Sequence, residues 1–297
     1  MFRFFANIFG YLLNFINNVV GNYGLAIILF TLFIKLIMLP LSIKQQRTMK
    51  KSAEIQEKMK VLQFKYKNDQ EKLNREIMDL YKKENMNPFS GCLSTIIQFI
   101  LLISIFYMVR FPLTYMKKVD ASVLNNYIQV LKENNIQISQ AYSEIDIIRE
   151  TGLLKENLPE DNVLDDVNIN MNFLGLDLSK IPQQNLNDWT VYIIPIFYII
   201  STFISMKLTT SIQKGKESNK EIIDITEKTE KDENVEDVEK NEMEDAMAQS
   251  NKMMSWMMPF MSVSISLVAP LGLALYWLVN NVLMIIERLV LNKVIKD

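Results

Sequence analysis

The chain has 297 residues, 49% hydrophobic and 22% charged, with a formal net charge of −2. It holds no histidine and one cysteine, Cys92, which excludes disulfides, Cys/His zinc centres, Ser-His-Asp triads and thiol–imidazole pairs. The total charge supports no nucleic-acid binding of its own. Its distribution is the informative part, because charges are nearly absent from four blocks and crowded between them, as in a polytopic membrane protein.

The opening stretch, FRFFANIFGYLLNFINNVV, lacks the charged n-region and small-residue cleavage site of a secretory signal. Phe2, Phe5, Phe9, Leu12, Leu13, Ile16 and Val20 recur at helical spacing, with Arg3, Asn7, Asn14, Asn17 and Asn18 opposite. Residues 1–24 are therefore expected to form an amphipathic helix lying in the membrane interface; the plainer alternative is a helix packed on a soluble core. A first span is expected over 25–43, at roughly 28 Å close to the hydrocarbon thickness of a bilayer.

Residues 44–84 hold twelve Lys/Arg against seven Asp/Glu. Ile55, Met59, Leu62 and Tyr66, then Leu73, Ile77, Leu80 and Tyr81, repeat at helical spacing on either side of the polar break KNDQ. A helical hairpin over 44–86 follows, whose bland alternative is a solvated charged helix. Its density of basic residues directly after a span places it in the cytoplasm.

A second span is expected over 93–110, an external loop over 111–188 without an assigned fold for 112–171, and a third span over 189–207 with Trp189 and Tyr192 at an interface. Residues 208–252 are acidic and almost free of aromatics, so they read as a cytoplasmic linker. The apolar run from Met253 to Ile286 would measure roughly 51 Å as one helix, too long for one crossing. Pro270 and Gly272 divide it into a fourth span, 253–269, and a fifth, 272–291, followed by a cytoplasmic tail, 292–297. The fold class is thus all-α: five transmembrane helices, an interfacial helix and a cytoplasmic helical hairpin, with the N-terminus outside.

Lys35 stands in the middle of the first span. A lysine there costs ~2.5–3.5 kcal/mol on insertion scales, so it normally faces a cavity or a partner. Snorkelling is the plainer reading, but either end of the span lies about 15 Å of helix away, beyond a stem of ~6 Å. The spans carry one acid, Glu287, near the end of the fifth, so Lys35 needs water or polar side chains. Thr31, Gln98, Ser201, Thr202, Ser205, Ser262, Ser264 and Ser266 are the candidates, each of them also an ordinary helix-packing residue type. Met253, Met254, Met257, Met258 and Met261 crowd the fourth span, where methionine suits varied apolar partners or plain packing.

Several segments in register carry a resemblance. IKLIMLPLSIKQQ (34–46), NPFSGCLSTIIQ (87–98), FLGLDLSK (173–180) and PLGLALYWLVNN (270–281) resemble the signature segments of the YidC/Oxa/Alb membrane protein insertases. The resemblance implies a hydrophilic groove among five helices, open to the cytoplasm and the lipid. It implies that Lys35 attracts acidic substrate segments, with Gln98 and Trp277 lining the groove beside it. The hairpin, with Lys50, Lys51, Met59 and Lys60, looks like the element that recruits substrate. Nascent membrane proteins and the lipid bilayer are the partners implied, with the ribosome and the Sec translocon as further ones, and the location implied is the bacterial plasma membrane.

Four departures stand out. Lys35 replaces the arginine usual in the bacterial branch, Ser94 stands where proline is frequent, and the external loop is longer than usual. Neither a lipoprotein-type cysteine nor a basic C-terminal ribosome-binding tail is seen. The expected protein is not an enzyme and uses no cofactor or metal: a groove shortens the low-dielectric path, and partitioning or the membrane potential draws the substrate on. Two other readings stay open: a small anion or solute transporter with Lys35 as the anion site, and a non-catalytic assembly scaffold of a translocation complex.

Overall fold

The computed structural model describes residues 1–66, 69–84, 90–213 and 264–294. The described chain is helical almost throughout, with one two-stranded hairpin. It forms two compact units, one of residues 1–38, 96–202 and 261–284, the other of 39–95, 203–260 and 285–297.

In the first unit, α1 (Phe2–Val20) ends where Gly21 takes a left-handed φ of 66° and returns its N–H to the Asn17 carbonyl. The helix has three faces rather than two. Ala6, Phe9, Gly10, Leu13 and Asn17 are buried against the protein. Arg3, Asn7, Asn14 and Asn18 carry its polar groups. Phe4, Ile8, Tyr11, Phe15 and Val19 form a third, apolar stripe that stays exposed.

The buried face packs on a π-helical turn, Leu113–Lys117. Contact is close because Gly10 has no side chain: a Cβ there would run into the Tyr115 carbonyl. Lys118, at φ 58°, donates from Nζ to Asn7 Oδ1 at 2.7 Å and lies 4.2 Å from the centre of the Tyr11 ring. Those two contacts fasten the other side of α1 to the same turn.

Helix α2 (Tyr23–Lys65) runs 43 residues without interruption, with Pro40 inside it. The expected boundary between a span and a separate hairpin helix at 43–44 is not a break in the backbone. Nothing there stops a helix; polarity changes, and helical hydrogen bonding does not depend on polarity. Helix α4 (Ser90–Arg110) closes on Arg110, whose Nε donates to the Ala141 carbonyl at 2.5 Å and whose guanidinium lies 4.8 Å from the centre of the Phe111 ring.

Residues 112–171 are folded. Helices α5 (Ala121–Glu133), α6 (Ser143–Arg149), α7 (Thr151–Asn157) and α8 (Val163–Val167) pack as a small helical cluster. Leu124, Tyr127, Leu131, Ile145, Ile147, Leu154, Leu164 and Val167 form its interior. Tyr127 reaches through to donate to Asp161 Oδ2 at 2.8 Å.

Glu144 ties this cluster to the π turn, accepting from the Thr114 backbone N–H at 3.0 Å and the Thr114 hydroxyl at 2.5 Å. Burial pushes the Glu144 carboxyl above its ordinary range, against the opposing pull of those hydrogen bonds. A carboxyl with a raised folded value binds its proton more tightly in the folded cluster than in the unfolded chain. Its stabilising contribution is therefore complete below the unfolded value of about 4.3 and is lost as pH rises through the folded one. Hydrogen-exchange protection of 121–167 should fall with rising pH above that point, and Glu144→Gln should flatten the dependence.

The start of α2 is fastened to the segment that follows the cluster. Asn22 caps α2, its Oδ1 accepting from the Leu25 N–H, while its Nδ2 donates to the Asn172 carbonyl at 2.7 Å. Strands β1 (Asn172–Phe173) and β2 (Leu176–Asp177) pair Phe173 with Leu176. Gly24 leaves room for the Phe173 ring, which a Cβ would strike.

Two further helices begin at the same segment. Helix α9 (Ile193–Gln213) is entered through a 3-10 turn, Trp189–Tyr192, capped by Asp188. Lys180 pairs with Asp188 at 2.8 Å, and this with the Thr190 bonds holds the aspartate down to about 2. Helix α10 (Leu271–Val294) starts just after Pro270, and its Leu271 and Gly272 N–H groups donate to the carbonyls of Lys180 and Leu178. The first turns of α2, α9 and α10 thus meet at residues 170–190, so these three helices start on one side.

In the second unit the end of α2 meets α3 (Gln70–Lys83), with Lys58 on Glu84 at 2.5 Å and the Tyr81 hydroxyl on Met59 Sδ at 3.6 Å. Asp69 caps α3 by accepting from the Lys72 N–H. The fourth span, apart from the helical residues 264–268 and the turn that follows, lies outside the described residues. So do the crowded methionines, Ser262, nearly all of the acidic linker, the first two residues of KNDQ and the last three residues.

Candidate functional site

Among the described residues, three helices are long and apolar enough to cross a membrane: Tyr23–Ser52, Trp189–Leu208 and Leu271–Val294. Ile96–Arg110 is a shorter apolar helix. Their exposed side chains are large and apolar, including Leu32, Phe33, Leu36 and Ile37 on α2 and Ile196, Phe197 and Ile200 on α9. A water-soluble surface does not carry such faces, whereas lipid solvates them.

On α2, Thr31 and Lys35 share one face a turn apart. Thr31 is buried and donates its hydroxyl to the Ile27 carbonyl at 2.6 Å, which satisfies it within the helix. Lys35 is half-buried. Gln98 is exposed on α4.

Polar residues come together between α9 and α10. Ser201 and Thr202 both donate to the Tyr198 carbonyl, at 2.7 and 2.9 Å. Their oxygens remain free to accept, and Asn281 Nδ2 donates to Thr202 Oγ1 at 2.9 Å and to Ser201 Oγ at 3.4 Å. One turn earlier on α10, the half-buried Trp277 lies against Tyr198, ring centres 5.9 Å apart. The result is a polar and aromatic seam joining two apolar helices.

Tyr198 and Asn281 are members of this seam that the sequence reading did not single out. The signal was available for Asn281, an amide four residues after Trp277 on an apolar helix. Ser205 is buried one turn beyond Ser201. Replacing Asn281 by leucine should cost about 0.6–1.7 kcal/mol, the range for one interhelical hydrogen bond in a membrane. Unfolding of the purified protein in detergent, run as a double-mutant cycle with Thr202→Val, reads the pairwise part.

Of the residues expected to recruit substrate, Lys50 is half-buried, Lys51 exposed, and Met59 accepts the Tyr81 hydroxyl. The Lys60 side chain lies outside the described residues.

Apolar helices of spanning length, with a polar seam and a lysine inside the apolar stretch, define an all-α integral membrane protein. The chain belongs to the family of 60Kd inner membrane proteins, the YidC/Oxa/Alb family, whose model matches residues 15–297. Among curated relatives, it is similar to the proteins named membrane protein insertase YidC of Francisella tularensis subsp. novicida (strain U112) and subsp. holarctica (strain LVS). Each is 47% identical over 107 residues, a stretch that makes up 36% of this chain and 19% of the relative. The match therefore takes in about a fifth of those relatives' length.

Proposed function

We propose that this chain is a membrane protein insertase that receives newly made membrane proteins in a hydrated groove and hands them to the lipid. What carries this reading, beside family membership, is Lys35, a cation in the apolar part of a 30-residue span candidate. A charge there is costly unless water or a partner supports it, and residues that carry such a cost are usually functional. Lys35 draws an acidic substrate segment part-way across, and partitioning of the following apolar segment into lipid completes the transfer.

Gln98, Trp277, Thr31, Ser201, Thr202 and Ser205 line the groove in this reading. The hairpin of α2 and α3, with Lys50, Lys51, Met59 and Lys60, gathers substrate on the cytoplasmic side. The basic composition of 44–84 puts that side in the cytoplasm, the N-terminus outside and the C-terminus within. The exposed stripe of α1 rests in the outer interface. The ribosome and the Sec translocon are the partners that deliver substrate.

The test is insertion into vesicles of a short single-span protein with an acidic external tail, by the purified chain alone. Insertion above the vesicle background, lowered by changing Lys35, is the expected result. Purified protein that inserts nothing would leave an assembly scaffold instead. Saturable flux of a small anion dependent on Lys35 would make it a transporter.

A further inference from the structure

The turn of the hairpin that fastens the three helices is chemically odd. Leu174 and Gly175 are its two central residues, with φ of 53° and 81°. A two-residue turn with both φ positive is the type I′ geometry, which favours Asn, Asp or Gly at each position. Glycine fits at 175, but a leucine in the left-handed region is strained. Its side chain is 86% exposed, so little burial offsets that strain. An isolated exposed leucine needs no explanation; one held at a strained backbone position does.

Its surroundings say what it meets. Strand β2 packs on the turn Trp189–Tyr192, where the span Trp189–Leu208 begins. Phe173, the residue before Leu174, lies against Gly24 in the first turn of α2, and Leu178 bonds to the first turn of α10. The tip therefore stands at the depth where three membrane helices start. Two more apolar groups are exposed nearby in sequence, Leu186 at 68% and Trp189 at 73%. The Lys180–Asp188 ion pair closes the loop that carries Leu186 back to the same place. Tryptophan at a span's first residue is what a membrane interface favours.

We infer that the Leu174–Gly175 tip is a shallow lipid anchor: Leu174, with Leu186 and Trp189, inserts into the leaflet at which α2, α9 and α10 begin. Lipid is the occupant because the patch continues the lipid-facing surface of those helices. The anchor holds the segment that ties their first turns together at a set depth, so the helix starts are registered against the bilayer as well as against each other.

The test uses the full-length chain in phosphatidylcholine–phosphatidylglycerol vesicles. In a Cys92→Ser background, Leu174→Cys and, separately, Leu186→Cys carry an environment-sensitive fluorophore, with Asn125→Cys, at an exposed position of α5, as the control. At 174 and 186 the emission should shift to the blue and resist aqueous iodide. Lipids with a nitroxide near the headgroup should quench it more strongly than lipids with one near the chain end, while the control stays open to iodide. Ready iodide quenching at 174 overturns the inference. So does a label shielded from iodide yet untouched by nitroxide lipid, which would mean a protein contact at the tip. The readout is lipid depth, so it succeeds or fails independently of whether the chain inserts substrates.

Discussion

Lys35→Glu is expected to reduce insertion of an acidic-tailed single-span substrate to the level of empty vesicles. Lys35→Ala should retain part of the activity and Lys35→Arg most of it. Two unit charges about 5 Å apart interact by about 3 kcal/mol at an effective dielectric of 20, and each 1.4 kcal/mol is tenfold in an equilibrium. Removing the cation forfeits that attraction, whereas reversing it adds a repulsion of similar size, so glutamate should be far worse than alanine. Arginine keeps the charge but changes a compact ammonium into a planar fork, so it should serve a carboxylate in a wet groove about as well. The complementary experiment gives the substrate a lysine-bearing tail, which the glutamate variant should insert better than the parent does. Undiminished insertion of the acidic substrate by Lys35→Glu would remove charge attraction from the mechanism.

The second large effect is structural and has an informative sign. Glycine inside a helix is normally a liability, and replacing it by alanine stabilises by about 0.5–1 kcal/mol. At Gly10 the opposite is expected, because the added Cβ collides with the Tyr115 carbonyl, a backbone atom that no rotamer change can move. Gly10→Ala should destabilise the docking of α1 by about 1–3 kcal/mol, and Gly10→Val by more. Gly152, in α7, is the control: nothing lies within 4 Å of a Cβ there and its φ is ordinary, so Gly152→Ala should be neutral or stabilising. Amide exchange of 2–20 and limited proteolysis in detergent read both. Unchanged protection of α1 in Gly10→Val would mean that the close approach to the π turn does not hold the helix.

Much of the helical architecture was legible in the sequence, because hydropathy and helical period are local quantities. Apolar runs of spanning length at the start of α2 and in α9 and α10 needed no partner to be recognised, and Pro270 marked where α10 begins. Lys35 stood out for the same reason, as a charge read against its own neighbours. The family segments extended this, since several short motifs in order are specific in a way that any one is not.

What the sequence missed depends on partners distant in the chain. The 112–171 region reads as a loop because its helices are short, five to thirteen residues, and hold together only by burying Tyr127, Leu131, Ile147 and Leu154 against each other. Helix α1 showed an apolar and a polar face, yet the division of its apolar surface into a protein-facing and an exposed stripe follows from where Tyr115 sits. Nothing within 281–297 says that Asn281 will meet Thr202, about eighty residues away. The residues 170–190 carry the plainest case. As a sequence they are a recognisable motif and an undistinguished connector; in the fold their backbone carbonyls receive the first N–H groups of α2 and α10. Composition along the chain decides which segments leave water, since that balance is struck residue by residue against the solvent. Which of those segments touch, and on which side they begin, is decided by hydrogen bonds and close packing between residues that only folding brings together.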